Sequence, residues 1–145
     1  MIPVNGRCLA VMRELEHVTD PESLFTLALA GADIGIWECN TATGYFYAHP
    51  VLLDMLGLDD RQCPLNLDEW LEKVDPKDRT RARQNARRLT IGQASRIREL
   101  RRMVHSDGTI RHFLSRAVTI THADGFHRSV IGAEIDVTEL FETGD

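Results

Sequence analysis

Two Asp-Gly pairs, Asp107-Gly108 and Asp124-Gly125, divide the second half of the chain into three runs of strand character, 95–105, 109–121 and 126–137. Asp-Gly between such runs marks a tight reversal, because the turn demands positive φ and glycine adopts it without a Cβ clash. Three consecutive antiparallel strands are therefore expected. A further hairpin is expected upstream, where Ile34–Cys39 and Tyr45–Ala48 are short, aromatic and β-branched and are separated by Asn40-Thr41-Ala42-Thr43-Gly44.

Helical signals occupy the remainder. Residues 7–18 place Cys8, Val11, Met12, Leu15 and Val18 on one stripe of a helical wheel, with Arg13, Glu14, Glu16 and His17 elsewhere. Asp20-Pro21-Glu22 reads as an N-cap followed by proline and an acid, opening a helix that ends near Gly31. His49-Pro50 opens a brief helix closed by Gly57, and Asn66 with Glu69 has capping-box spacing for a helix over 67–74. Asp75-Pro76 then launches a longer helix to about Ile91, whose apolar side is made of Ala82, Ala86 and Leu89. Two hairpins bracketing a helical insert predict an α+β domain: a five-stranded antiparallel sheet with helices on one face and a pocket between them.

Length and charge narrow the function. With 145 residues, 43% of them hydrophobic, the chain suits one core and excludes a multidomain enzyme. Its net charge of -5 works against counterion-driven binding of nucleic acid, although the basic residues concentrate beyond residue 75. No apolar run approaches the ~20 residues of a membrane span, and the first residues lack a secretory pattern, so a cytoplasmic location is expected. Cys8, Cys39 and Cys63 have no Cys-x-x-Cys spacing, which predicts free thiols and no metal centre. There is no Gly-x-Ser-x-Gly, phosphate loop, His-Glu-x-x-His or dinucleotide fingerprint, and no catalytic residue is assigned.

Several stretches resemble, in order, those of bacterial PAS domains of the kind found in sensor kinases, cyclic-dinucleotide enzymes and transcription regulators. Ala32-Asp33-Ile34-Gly35-Ile36-Trp37-Glu38-Cys39-Asn40 is similar to the family's first strand, Met55-Leu56-Gly57 to the close of its first short helix, and Trp70 through Arg79 to the junction before its long helix. Ser106-Asp107-Gly108-Thr109-Ile110-Arg111 resembles its Asp-Gly-x-Ile-Arg hairpin, and Gly132 through Glu139 its closing Gly-x-x-x-Asp-Ile-Thr-Glu. Asp75, His112 and Leu100 stand where the family often has His, Trp and Glu. The resemblance covers about residues 24–140. It implies an N-terminal helical cap over 1–23, a PAS domain over 24–140 and the start of a linker over 141–145.

That resemblance implies a non-catalytic sensory module that couples a small ligand or a partner to an output domain, such as a histidine kinase, a cyclic-dinucleotide enzyme or a DNA-binding regulator. A stand-alone adaptor working through protein contacts is the alternative. A small cone-shaped α+β enzyme using His112 with Asp136 is a third reading.

His112 alternates with Ile110, Leu114, Val118 and Ile120, so all five share one strand face. This face is expected to line the pocket with Trp37, Tyr47, Met103 and Ile131. Neither haem nor flavin is expected: the helix after Asp75 contains no His, and the residues around Cys63 lack the photoadduct pattern of light-sensing relatives. The pocket ligand, if any, is an unknown small molecule. Arg79, Arg81, Arg83, Arg87 and Arg88 spread around their helix and read as a solvated face. One of Arg101, Arg102 and Arg116 could enter the pocket to pair with a carboxylate ligand, Glu99 or Glu134. Asp136 and Thr138 stand where the last strand becomes a helix that Thr138 can cap, and they are expected to carry the signal out. The stripe of Cys8, Val11, Met12, Leu15 and Val18 is expected to build a homodimer by covering the outer sheet face.

Overall fold

Asp20 starts the first helix as its sequence requires: its side chain accepts from the Ser23 backbone N–H, Pro21 sits in the first turn, and α1 runs over Pro21–Gly31. The computed structural model describes residues 20–125 and 128–142. The expected dimer helix, with Cys8, Val11, Met12, Leu15 and Val18, lies outside them. β1 (Ile34–Asn40) and β2 (Phe46–Ala48) form the first hairpin, with Trp37 opposite Ala48 and Cys39 opposite Phe46.

The helical insert follows its capping signals. His49 Nδ1 accepts from the Val51 N–H to open α2 (Pro50–Met55), and Gly57 closes it at φ 72°. Asn66 and Glu69 exchange side-chain and backbone hydrogen bonds in a complete capping box for α3 (Leu67–Leu71). This helix stops short of Val74 because Val74 bridges Met103 at the sheet edge, and the chain turns there instead. Asp75 accepts from the Lys77 N–H and opens α4 (Pro76–Thr90).

The second half gives β3 (Arg96–Val104), β4 (Ile110–Thr121) and β5 (Arg128–Asp136), all paired antiparallel. The sheet order is β2-β1-β5-β4-β3, so β5 returns to pair with β1 and closes the domain around the helices. Trp37, Phe46, Leu52, Leu56, Trp70, Leu71, Val74, Leu89, Met103 and Phe113 fill the core between sheet and helices. A smaller cluster of Leu29, Ala30 and Val51 packs α1 and α2 against Ile34 and Ile36. No described helix is long and apolar enough to cross a membrane.

The expected pocket face is corrected by this register. β4 turns Phe113, Ser115 and Ala117 toward the helices, while Ile110, His112, Leu114, Val118 and Ile120 point to the other side. Cross-strand partners share a face, so Ile131, opposite Val118, and Tyr47, opposite Glu38, lie on that outer side too. The period of two identifies which residues travel together, and a one-residue difference in orientation moves the whole set to the opposite face. Of the residues expected to line the pocket, Trp37 and Met103 are on the inner face and buried.

Both Asp-Gly turns form as the sequence indicates, with Gly108 at φ 87° and Gly125 at φ 74°. Nothing lies within 4 Å of a Cβ placed on Gly108, so only the backbone conformation opposes a side chain there. Gly108→Val is expected to lower stability by about 1 kcal/mol in denaturant titration. An unchanged midpoint would contradict the positive φ.

Candidate functional site

The inner sheet face is polar and small where a core would normally be aliphatic. Pairing places Glu99 (β3), Ser115 (β4) and Glu134 (β5) in one row across the sheet. The neighbouring row is Ile97, Ala117, Gly132 and Trp37. Arg101 follows Glu99 by two residues and so joins the same face. Opposite this floor, α4 contributes Ala82, Asn85, Ala86 and Leu89, and the small side chains on both surfaces leave an interior cavity of about 30 Å³. Trp37, Phe46 and Trp70 form its aromatic wall, with ring centroids 5.3–6.4 Å apart. The space exceeds what one ordered water needs.

Charged side chains occupy one end. Arg101, 6% exposed, donates from Nη1 to Glu99 Oε1 at 2.7 Å and from Nη2 to Glu134 Oε1 at 2.5 Å. Its guanidinium lies 5.8 Å from the Trp70 ring centroid. Glu99 also accepts from Asn85 Nδ2 at 2.8 Å and lies 3.5 Å from the Arg81 guanidinium. Glu134 is fully buried, and its Oε1 accepts additionally from Trp37 Nε1 and Ser115 Oγ, each at 3.0 Å. Burial pushes the Glu134 carboxyl above its ordinary range, against the pull of Arg101 and these two donors. Glu134 Oε2 and Arg101 Nε are buried with no hydrogen-bond partner among the described residues. The expected pairing of a strand arginine with Glu99 or Glu134 thus occurs with both, through Arg101.

A second ionic contact fixes α4 to the sheet edge. Asp78, in the first turn of α4, accepts from the backbone N–H, Nε and Nη2 of Arg102 at 2.8–3.0 Å. These hydrogen bonds hold its carboxyl at about 2, well below the usual carboxylate range. Cys39, by contrast, is pushed up to about 11 by burial and remains a protonated thiol at neutral pH.

At the exit from β5, Asp136 Oδ1 accepts from both the backbone N–H and the hydroxyl of Thr138. The same Thr138 hydroxyl accepts from the His112 N–H at 2.9 Å, and the Val137 N–H donates to the His112 carbonyl at 2.8 Å. Thr138 therefore ties the exit to β4 and does not cap the short 3₁₀ turn Thr138–Phe141, which has no side-chain cap. The His112 ring stacks on Phe141, centroids 4.2 Å apart and 9° from parallel. It packs against the exit segment, outside the cavity that the sequence assigned to it.

Sequence reasoning picked out Trp37 and left open which of Arg101, Arg102 and Arg116 would pair with a carboxylate ligand, Glu99 or Glu134, and it passed over Phe46, Trp70, Asn85 and Ser115 as site residues. Phe46 was legible from Tyr47, since adjacent strand residues face opposite ways. Asn85 lies one turn after Ala82 and next to Ala86 on the small side of α4, and its side chain reaches Glu99 on the floor.

The comparisons agree with this architecture. The family model described as PAS fold matches residues 45–133, more than half of the chain. A sensory box histidine kinase/response regulator from Burkholderia thailandensis superposes with a TM-score of 0.62 at 27% identity, over 81% of this chain and 86% of that one. The N-terminal domain of a diguanylate cyclase with a PAS/PAC sensor from Marinobacter aquaeolei gives 0.64 at 18% identity, over 75% and 99%. A PAS domain from Colwellia psychrerythraea gives 0.63 at 17% identity, over 83% and 99%. No curated protein matches the chain. The matched span, the sheet order and the helical insert lead to one conclusion: the chain belongs to the PAS family of sensory domains.

Proposed function

We propose that this PAS domain is a ligand-responsive regulatory module whose sensing site is the cavity bounded by Trp37, Phe46, Trp70, Glu99, Arg101 and Ser115. The observation that carries the reading is the buried Glu99–Arg101–Glu134 group with two polar atoms left over. A buried ion pair of this kind seldom adds stability over a packed apolar equivalent, so its presence beside a cavity favours recognition over structural support. Output passes through β5 to Asp136 and Thr138 and then to an attached or separate output domain, and the domain itself performs no chemistry. Native mass spectrometry of freshly purified protein tests this: a retained small molecule supports it, and ligand-free protein unresponsive to a metabolite extract refutes it.

Signalling through a homodimer completes the proposal. Leu100, Ile110, Ile120 and Ile131 stand 38–45% exposed on the outer sheet face, an apolar surface suited to the stripe of Cys8, Val11, Met12, Leu15 and Val18. Met12→Asp with Leu15→Asp is expected to dissociate the dimer in sedimentation while leaving the residue 24–138 core folded; an intact dimer would exclude this interface. Thr138→Ala is expected to cost about 1 kcal/mol and to alter output in the protein carrying its effector domain. Output indistinguishable from wild type would remove Thr138 from the signal path.

A further inference from the structure

β3 is an edge of the sheet, paired with β4 on one side only. Residues of an antiparallel pair alternate between those whose backbone groups bond the partner strand and those whose groups point away from it. Arg102 points away: its N–H donates to Asp78, and its carbonyl accepts from the Asp75 N–H. The register with β4 is unbroken, so Arg96, Arg98, Leu100 and Val104 point away as well. Both ends of this edge are occupied. The Val104 N–H donates to the Lys73 carbonyl, the Leu100 carbonyl accepts from Arg81, and the Ala94 N–H, just before the strand, donates to the Arg88 carbonyl. Between these ends, the N–H and carbonyl of Arg96 and of Arg98 and the N–H of Leu100 make no hydrogen bond among the described residues. α4 leaves this stretch open because it crosses the sheet obliquely: Asp78 and Arg81 near its start reach the edge, whereas the Leu89 carbonyl near its end accepts from Thr119 on β4.

Charge marks the same stretch. Arg96 and Arg98 are exposed on the outer face, and Arg98 stands directly opposite Arg116 of β4. None of the three makes an ion pair among the described residues, and no carboxylate lines the groove that they border. Like charges set opposite one another repel, and an acid on the open side of Arg98 relieves that repulsion. The arginines also choose among partners. β3 of a second copy, paired about a two-fold axis at residue 97 or 98, would set arginine opposite arginine. The edge therefore resists its own copy and accepts a strand of opposite charge.

We propose that the open stretch of β3, from Arg96 to Leu100, binds an extended acidic peptide of a partner protein as a sixth strand. Residues facing Arg96 and Arg98 across the new ladder are two apart in sequence, so the partner carries acid-x-acid. An apolar residue two positions further along meets Leu100, which is 45% exposed. The free backbone groups hold the strand, and the guanidinium groups select it. This inference stands independently of the reading of the cavity as a sensing site.

The probe is the blocked heptapeptide Leu-Thr-Glu-Thr-Glu-Thr-Leu, which presents the same pattern in either direction, titrated to about 2 mM into the full chain. Two controls accompany it: the peptide with lysine at both acid positions, and the peptide N-methylated at both glutamates, which keeps the charges and removes the N–H groups that must bond the carbonyls of β3. The readouts are NMR shifts and hydrogen exchange at the backbone N–H of Arg96, Arg98 and Leu100. The acidic peptide is expected to bind saturably, at least 10-fold tighter than either control, and to slow exchange at these three sites. Arg96→Glu with Arg98→Glu is expected to reverse the preference toward the lysine peptide; the N-methylated control on the wild type decides the matter if that variant does not fold. Equal binding of the N-methylated peptide would overturn the added strand, leaving a purely ionic contact. Failure of all three peptides to bind would overturn the proposal, with the arginines serving only to guard the edge. Protection of the same N–H groups before any peptide is added would also overturn it, assigning the edge to a second copy if the protection depends on protein concentration and to residues 1–19 of the same chain if it does not.

Discussion

Arg101→Leu is expected to be among the most damaging single changes in the domain, lowering stability by about 3–5 kcal/mol at neutral pH. The guanidinium is bonded to Glu99 and Glu134 together. Glu99 keeps Asn85 and stays near Arg81, whereas Glu134 is left fully buried with only the neutral donors Trp37 and Ser115. An uncompensated carboxylate in that setting costs far more than the loss of one hydrogen bond.

The sign of the pH dependence follows from the direction in which Glu134 shifts. Burial raises its folded-state pKa above the unfolded value, and removing Arg101 raises it further. Below the unfolded value the group is protonated in both states and imposes no penalty. As pH rises from there through the folded value, unfolding releases a proton and the variant loses stability. The melting midpoint of Arg101→Leu is therefore expected to fall as pH rises from the ordinary glutamate range toward neutrality. Adding Glu134→Gln is expected to recover part of the loss and flatten that dependence. A single variant whose midpoint is flat across this range, or a double variant worse than the sum of the singles, would contradict the ion-pair assignment.

How much of this was legible in the sequence differs between fold and site. Caps and turns are local, and local chemistry decides them: Asp20, His49, Asn66 and Asp75 each cap the helix that follows, and Gly108 and Gly125 each turn a hairpin. The orientation of β4 is not local. Ile110, Leu114, Val118 and Ile120 form the more aliphatic face of this strand, and hydrophobicity alone assigns them to the interior. The structure buries Phe113, Ser115 and Ala117 instead, because this is the face that meets the helices and the charged group. Its residues are small or polar where a site needs room and hydrogen bonds, so its hydrophobic signal is weaker than that of the outer face. The outer face keeps aliphatic residues consistent with covering by another surface. Sequence pattern therefore misassigned the faces at the place where the inner surface departs from an ordinary core.

One further signal could have reversed that choice. Glu99 and Arg101 alternate on β3 and Glu134 lies two residues from Gly132 on β5; charged residues spaced by two, on strands flanking the one that carries Ser115 and Ala117, mark a polar inner row. Gly132 itself indicates where a large ring must lie on the sheet, and its neighbour across β1 is Trp37.

This packing makes Gly132→Ala the second large effect. A Cβ at residue 132 would sit 2.1 Å from Trp37 Cε2 and 2.2 Å from Cζ2, inside any permitted contact. The indole cannot yield freely: its Nε1 donates to Glu134 at 3.0 Å, and its ring packs against Phe46 and Trp70. Relief requires the indole to tilt off the sheet, which breaks the bond to Glu134, narrows the cavity and disturbs the aromatic wall. Overpacking together with a weakened buried hydrogen bond gives an expected loss of about 3 kcal/mol, large for the addition of one methyl group. Trp37→Phe removes part of the clashing ring, so in the Gly132→Ala background it is expected to restore some of the stability that it costs in the wild type. Equilibrium unfolding followed by indole fluorescence measures both variants and their combination. A loss below about 1 kcal/mol for Gly132→Ala, or strict additivity with Trp37→Phe, would mean that the indole does not rest on this glycine.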